Sequence, residues 1–228
     1  SPAPARAPSS RSPLAFCTLG SGSAGNCTAV FLQGAASGLA ASHAPPHSRS
    51  VILIDAGLSP RRTARLLAPF DIALDDIAAI VLTHLDTDHF YSGWLKVIAR
   101  RAAGGAPLTL HVYRRHRHAA WHSGLTARET SLFDDDLPLP LGGWAEPILL
   151  AHDDLGSVGF VIEHDGHGLG YATDLGRVPR GLLDRFINLH ALAIESNYHP
   201  PMQHARPRPA FLKRRIMGGA GHLSNDQA

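Results

Sequence analysis

Ile77-Ala78-Ala79-Ile80-Val81-Leu82-Thr83-His84-Leu85-Asp86-Thr87-Asp88-His89 is the stretch on which the reading of this chain turns. Its first part, Ile77 to Leu82, is an apolar run that reads as a buried strand. Directly after it, four metal-capable side chains, His84, Asp86, Asp88 and His89, fall within six residues. No helix or strand period puts all four on one face, whereas a tight loop lets them converge on one or two ions. That is a catalytic metal site more readily than a structural zinc site, which favours four Cys or His donors in closed coordination. An Asp/His-rich solvated turn is the plainer alternative.

The rest of the composition bounds the answer. At 228 residues, 44% hydrophobic and 18% charged, the chain is an ordinary globular mix with enough length for a sizeable core. No apolar run approaches the length that spans a bilayer, so no membrane partner is expected. A net charge of +2 does not announce nucleic-acid binding, while 15 histidines favour metal or acid–base chemistry. Cys17 and Cys27 cannot make a disulfide framework, and nothing resembles a secretion signal, so a cytoplasmic location is expected.

Residues 1–13, rich in Pro, Ala and Ser, read as a disordered tail, and 14–228 as one domain. Leu14–Leu19 and Thr28–Gln33 read as a hairpin joined by the small-residue link Gly20 to Asn26. Residues 34–50 read as a flexible insertion. Further strands are expected at Val51–Asp55, Leu108–Val112, Ile148–Ala151, Ser157–Glu163, Leu169–Thr173 and Ala191–Ser196. Helices are expected at Pro60–Leu67, Trp94–Arg101, Arg114–Trp121 and Phe211–Ile216. Ser224-Asn225-Asp226-Gln227 reads as the capping-box start of another helix, which the end of the chain is expected to cut short. Strands and helices alternate without a repeating βαβ unit, which points to a mixed α/β sandwich.

Three more candidate ligands, His152, Asp174 and His222, sit where strands should end or a helix should start. Together with the first loop they give the order H-x-D-x-D-H, His, Asp, His. In that order the chain resembles metallo-β-lactamase-fold hydrolases, and more narrowly the YycJ/WalJ exonuclease branch. The resemblance is carried by Phe16 to Cys27, Ile54-Asp55-Ala56-Gly57-Leu58-Ser59, Ala172-Thr173-Asp174-Leu175-Gly176, Ile194-Glu195-Ser196-Asn197, Leu212 to Ile216, and Gly221-His222-Leu223-Ser224-Asn225.

The resemblance implies an αββα sandwich of the metallo-β-lactamase type with two divalent ions, zinc or manganese or iron, at the edge between its sheets. One ion would be held by His84, Asp86 and His152, the other by Asp88, His89 and His222, with Asp174 bridging. Asp55 would brace the metal loop, or it is a strand-end Asp capping a turn. The branch usually has His where this chain has Asp86, a hard oxygen donor that shifts preference toward manganese or iron. It also more often has Asn-His-Asp where this chain has Asn197-Tyr198-His199. His199 either replaces the displaced His or is a surface residue.

The activity this implies is phosphodiester hydrolysis, as a DNA exonuclease acting from 5′ ends through a hydroxide bridging the two ions. Asp88, His199 and Glu195 are the expected catalytic side chains, with His199 as acid and Glu195 orienting it. Ser21, Ser23, Asn26, Lys213, Arg214 and Arg215 are the expected phosphate contacts. Arg114-Arg115-His116-Arg117-His118 with Trp121 is a second basic cluster, or a solvated helix face. The competing readings are a thioester or lactone hydrolase, an RNA-processing nuclease like ribonuclease Z, and a non-catalytic binding member of the fold.

Overall fold

In the computed structural model, which describes residues 13–33 and 49–228, the chain folds as two mixed sheets packed face to face with helices outside each. The expected tail therefore lies outside the described residues except for Pro13, and the expected insertion except for Arg49 and Ser50.

The first sheet holds β1 (Leu14–Gly20), β2 (Cys27–Gln33), β3 (Arg49–Ile54), β4 (Ile77–Leu82), β5 (Thr109–Tyr113) and β6 (Thr130–Phe133), side by side in that order. The β1–β2 and β2–β3 pairs are antiparallel, and the remaining pairs are parallel. Parallel neighbours need crossovers. Here α1 (Pro60–Leu67), α2 (Trp94–Ala103) and α3 (Arg117–His122) lie in those connections. Ser59 caps α1 by accepting the Arg62 N–H, with Pro60 just inside the helix.

The second sheet is built from β7 (Leu137–Pro138), β8 (Trp144–Leu150), β9 (Ser157–His164), β10 (His167–Ala172) and β11 (Ala191–Ile194). Outside it lie α4 (Arg180–Arg185), α5 (Pro200–Ala205) and α6 (Ala210–Met217) along the chain. Strand β8 runs farther back than expected, through Pro147. Strand β7 pairs only with Trp144 and Ala145, so the missing Pro147 N–H faces no neighbour on that side.

Side-chain alternation builds three apolar layers. Val30, Leu32, Ile52, Ile54, Ala79 and Val81 face Val158, Phe160, Ile162 and Tyr171 between the sheets. Their strand neighbours Ala29, Phe31, Leu53 and Ile80 pack on Leu67, Trp94 and Ile98 of the first helical layer. Ile148, Val161 and Ala172 pack on Leu182 and Leu223 on the far side. Burial on both faces explains why β2, β3 and β4 read as continuous apolar runs.

Three expectations need correcting. Pro13 is tied to the sheet through its carbonyl, which accepts the Gln33 N–H at 2.8 Å. Arg49 and Ser50 belong to β3, pairing with Gln33 and Leu32, so the insertion ends earlier than expected. Ser224 to Gln227 forms a turn in which the Gln227 side chain accepts the Ser224 N–H at 2.9 Å, which is half of the expected capping box. Cys17 and Cys27 are free thiols, paired in the hairpin register with Ala29 and Gly20. Among the described residues, no helix is long and apolar enough to cross a membrane.

The loop after β4 is laced to its surroundings by backbone bonds. Asn26 N–H donates to the Asp88 carbonyl at 2.7 Å, Ala56 N–H to His89 at 2.8 Å, and Tyr91 N–H to Ala56 at 2.9 Å. This close approach requires a glycine at residue 57, where a Cβ would stand 1.7 Å from the Asp88 carbonyl oxygen. Gly57→Ala is therefore expected to displace the Asp88–His89 segment and destabilise the fold by about 3 kcal/mol. Urea denaturation reads this as a lower midpoint, and an unchanged midpoint would contradict it.

Candidate metal centre

The strand directions bring the candidate side chains to one rim. β3 and β4 are parallel, so Asp55 and the Thr83–His89 loop leave the first sheet at the same end. β8, β10 and β11 share a direction because β9 runs antiparallel to both β8 and β10. His152, Asp174 and Glu195 therefore also leave at one end, and His222 follows α6 into the same space. A cavity of about 280 Å³ results, with His84, Asp86, Asp88, His89, His152, Asp174 and His222 all on its walls.

The donors fall into three groups whose ligand atoms lie within 4.8 Å of one another. One is His84, Asp86 and His152; another is His84, His89 and Asp174; the third is His152, Asp174 and His222. Asp174 belongs to two groups and contacts a histidine on each side, His89 Nε2 at 2.7 Å and His222 Nδ1 at 3.3 Å. Asp88 stands farther off, with Oδ2 4.0 Å from His89 Nε2. Asp86 lies on the outer lip, its side chain 57% exposed and Oδ2 4.0 Å from His84 Nε2.

What surrounds the four imidazoles is what a metal site needs. Thr83 Oγ1 donates to Asp55, at 2.9 Å from either oxygen, and so accepts from His84 Nδ1 at 3.0 Å. His89 Nδ1 donates to Asp55 Oδ2 at 2.8 Å. His152 Nδ1 donates to the Gly221 carbonyl at 3.0 Å, and His222 Nδ1 to Glu195 Oε1 at 2.6 Å. Every Nδ1 is engaged by the protein, which leaves Nε2 as the remaining donor on His84, His152 and His222, while His89 Nε2 lies against Asp174 and Asn26. Metal-binding histidines are held in this way. This chemistry of the donor set fits divalent ions. Asp55, Asp153 and Asp174 take positive φ angles of 62°, 40° and 51°, a conformation Asp tolerates better than most residues. Such backbone outliers gather at functional sites.

The electrostatics show the same demand for cations. Burial alone would disfavour charge on His89, but Asp55 and Asp174 outweigh it and raise its pKa well above the usual value. His222 is likewise penalised by burial, yet Asp174 and Glu195 lift it to about 10. Burial opposes the Asp174 charge, and the hydrogen bonds from His222 and His89 more than offset this and hold it ionised. Burial, then His89 beside it, pushes His84 down to about 3.

Other expected residues are placed less centrally. His199 is exposed at the start of α5 and does not line the cavity, and Glu195 engages His222 rather than His199. Of the expected phosphate contacts, Ser23 and Arg215 line the cavity, whereas Ser21 and Arg214 are exposed away from it. Lys213 Nζ donates to the His204 carbonyl at 2.5 Å. Asn26 is spent on the metal loop, with Nδ2 2.9 Å from His89 Nε2, and its Oδ1 accepts the Gly22 N–H. In the basic cluster Arg114 pairs with Asp134, and His116 is buried.

The sequence reading missed Thr83, Asp153 and Gly221. Asp153 binds the Arg215 guanidinium through two bonds, of 3.2 and 2.6 Å. A signal existed for Thr83, a hydroxyl directly between a buried strand and a histidine. None existed for a carbonyl such as that of Gly221.

A family model described as a beta-lactamase superfamily domain matches residues 50–228. Exodeoxyribonuclease YycJ of Bacillus anthracis is 25% identical over 218 residues, covering 94% of this chain and 75% of that protein. Exodeoxyribonuclease WalJ of Streptococcus pneumoniae serotype 2 is 24% identical over 180 residues, covering 78% of this chain and 66% of that protein. Among solved structures, a diphosphatase from the PhnP family superposes with a TM-score of 0.57 at 18% identity, covering 87% of this chain. The chain spans 65% of that diphosphatase, so all three relatives are longer than the part matched here.

Metal uptake should be linked to protons in a definite direction. His222 is raised from 6.5 to about 10, so its contribution to the stability of the metal-free chain is full below pH 6.5 and is lost as pH rises through about 10. A metal needs the neutral ring, so affinity should strengthen with pH across that window and binding should release protons. Calorimetric titration with zinc in two buffers of different ionisation enthalpy measures this; identical heats would contradict it. Glu195→Gln should weaken zinc binding about 10- to 100-fold, in line with the loss of an outer-shell partner.

Proposed function

The chain belongs to the metallo-beta-lactamase superfamily, and on that premise we propose that it is a metal-dependent phosphodiester hydrolase, a DNA exonuclease working from 5′ ends. The observation that carries this reading is the cation beside the donor cluster. Arg215 lines the same cavity as the seven His and Asp side chains and is held there by Asp153. The distant likeness to YycJ and WalJ over most of the chain supports DNA as the polymer.

His84, Asp86 and His152 would hold one divalent ion, and Asp88, His89 and His222 the other, with Asp174 between them. Such a pair supplies Lewis-acid polarisation of a phosphoryl oxygen and activates water at neutral pH. The protein's own groups do the rest. Asp55 keeps the proton of His89 on Nδ1 and, through Thr83, that of His84 on Nδ1. Glu195 does the same for His222. Arg215 offers N–H donors to a non-bridging phosphate oxygen. Asp153 fixes its direction, and the hydrogen bonds from Arg215 keep that carboxylate ionised. Ser23, on the hairpin link, lines the same cavity and offers its hydroxyl as a further phosphate contact. His199, outside the cavity, has no part in this scheme.

Manganese-loaded protein is expected to degrade 5′-phosphorylated DNA to mononucleotides faster than matched RNA, at a rate that falls with salt. Asp174→Asn should lower kcat at least about 100-fold with little change in unfolding midpoint. Arg215→Ala should raise KM about tenfold and flatten the salt dependence by about one phosphate contact. Intact DNA alongside rapid turnover of a neutral lactone or thioester would overturn the reading.

A further inference from the structure

The positive charge of the chain is concentrated beside the metal centre, in the segment that carries α5 and α6. Residues 196–225 hold none of the 19 acidic residues and five of the 21 basic ones, Arg206, Arg208, Lys213, Arg214 and Arg215. The remainder of the chain is therefore net negative, although the whole carries +2. Among the described residues, the Arg and Lys side chains in ion pairs are those of Arg100, Arg114, Arg185 and Arg215. The segments outside the described residues contain no Asp or Glu. Arg206, Arg208, Lys213 and Arg214 therefore carry charge that no carboxylate offsets at contact distance, and all but Lys213 are exposed.

Helix α6 presents two sides. Leu212, Arg215 and Ile216, spaced at i, i+3 and i+4, face the metal cavity. Phe211 precedes Arg214 by three positions and Arg215 by four, so it stands between them on the helix surface, about 5–6 Å from each at Cβ. No residue of the helix is buried, and Phe211 is 66% exposed. A stripe thus runs from the metal cavity outward as cation, aromatic face, cation. Ahead of it, Arg206 and Pro209 take φ, ψ of −63°, 140° and −52°, 141°, the extended conformation that Pro207 and Pro209 favour. This stiff link holds Arg206 and Arg208 just before the helix, and the bond from Lys213 Nζ to the His204 carbonyl fastens α6 to α5.

Cations flanking an exposed aromatic face match a single strand of nucleic acid. Its phosphates meet the guanidinium groups, and an unpaired base stacks on the ring. A duplex offers the same phosphates but keeps its base faces covered. A lipid surface calls for a continuous apolar face. Here Leu212 and Ile216 turn toward the metal cavity, which leaves Phe211 as the exposed large apolar side chain of α6.

We propose that the outer stripe of α6 is a track for a single-stranded stretch of the DNA substrate, with a base stacked on Phe211 and the adjoining phosphate on Arg214. The proposal rests on the exonuclease reading above. It puts the scissile phosphate at Arg215 and the next nucleotide outside the cavity, so a DNA end must be unpaired before it is cut.

Two measurements on the full chain test it. Fluorescence anisotropy in EDTA reads binding without cleavage, using a 3′-labelled oligothymidylate and a blunt duplex of the same length. Phe211→Leu keeps the apolar bulk and removes the aromatic face, and Phe211→Trp restores one. The single strand should bind Phe211→Leu about tenfold more weakly, equivalent to about 1.4 kcal/mol, and Phe211→Trp undiminished, while the duplex should not distinguish them. Arg214→Gln should lower the salt slope for the single strand by about 0.7. The urea midpoint of each variant is the folding check. In the second measurement, made with manganese, kcat/KM for the oligothymidylate is divided by that for bis(p-nitrophenyl) phosphate, which is too short to follow the stripe. This ratio should fall about tenfold in Phe211→Leu. Single-strand affinity unmoved by Phe211→Leu overturns the track, as does a loss in that variant confined to binding of phosphatidylserine vesicles. Hydrolysis of bis(p-nitrophenyl) phosphate would still uphold the phosphodiesterase reading. Single-strand binding lost on substitution, with neither substrate hydrolysed, upholds the track and overturns that reading instead.

Discussion

A carboxylate with no exposed surface, Asp55, is the constraint on which the rest of the site depends. A buried charge is tolerated only when hydrogen bonds replace the water it has lost. Asp55 gets them from the Thr83 N–H at 2.8 Å, the Thr83 hydroxyl and the His89 ring. To receive them, β3 and β4 must lie side by side and point the same way, and the chain after β3 must turn through a positive φ. The turn then brings Gly57 against the Asp88 carbonyl. A single desolvated group thus specifies strand order, loop conformation and the orientation of two imidazoles. Removing it would leave both rings able to rotate and Thr83 without its acceptor.

The parts of this arrangement that could be read from sequence are those with a local signature. The strand over Ile77–Leu82 and the helix over Pro60–Leu67 match residue for residue, because an apolar run and a Ser-Pro cap are decided within a few positions. The gathering of the donors at one cavity follows from the rule that strand ends at one rim carry the chemistry. Less legible were features decided by a distant neighbour. The strand expected from Ile148 starts at Trp144 and runs through Pro147, which β7 is too short to need as a donor. Asn26 reads as a phosphate contact in a small-residue loop, but its amide is drawn to His89, 63 positions away. Glu195 and His199 are close enough in sequence to suggest a pair, whereas Glu195 turns to His222, 27 positions on. Side-chain partners chosen across the sandwich leave no periodic trace.

Asp86 is the position where this chain departs from the pattern it otherwise resembles, and its setting is distinctive. The other first-group donors, His84 and His152, are buried, while Asp86 is exposed on the lip of the cavity. A short carboxylate there adds negative charge at the opening, and that charge, with the one on Asp153, acts on the Arg215 guanidinium.

The ties between Asp153 N–H and the Ala220 carbonyl, and between His152 Nδ1 and the Gly221 carbonyl, bear on the order in which the molecule is made. During synthesis the first sheet and its four loop donors emerge well before residue 152, and the segment around residue 222 comes later still. Until that segment arrives, His152 lacks the carbonyl that holds its ring, and Glu195 lacks His222. A nascent chain can therefore fold its early half while its donor set is still incomplete. Of the segments that carry candidate donors, the one around residue 222 is made latest, so the clasp on His152 and the partner of Glu195 are added only after the two sheets exist.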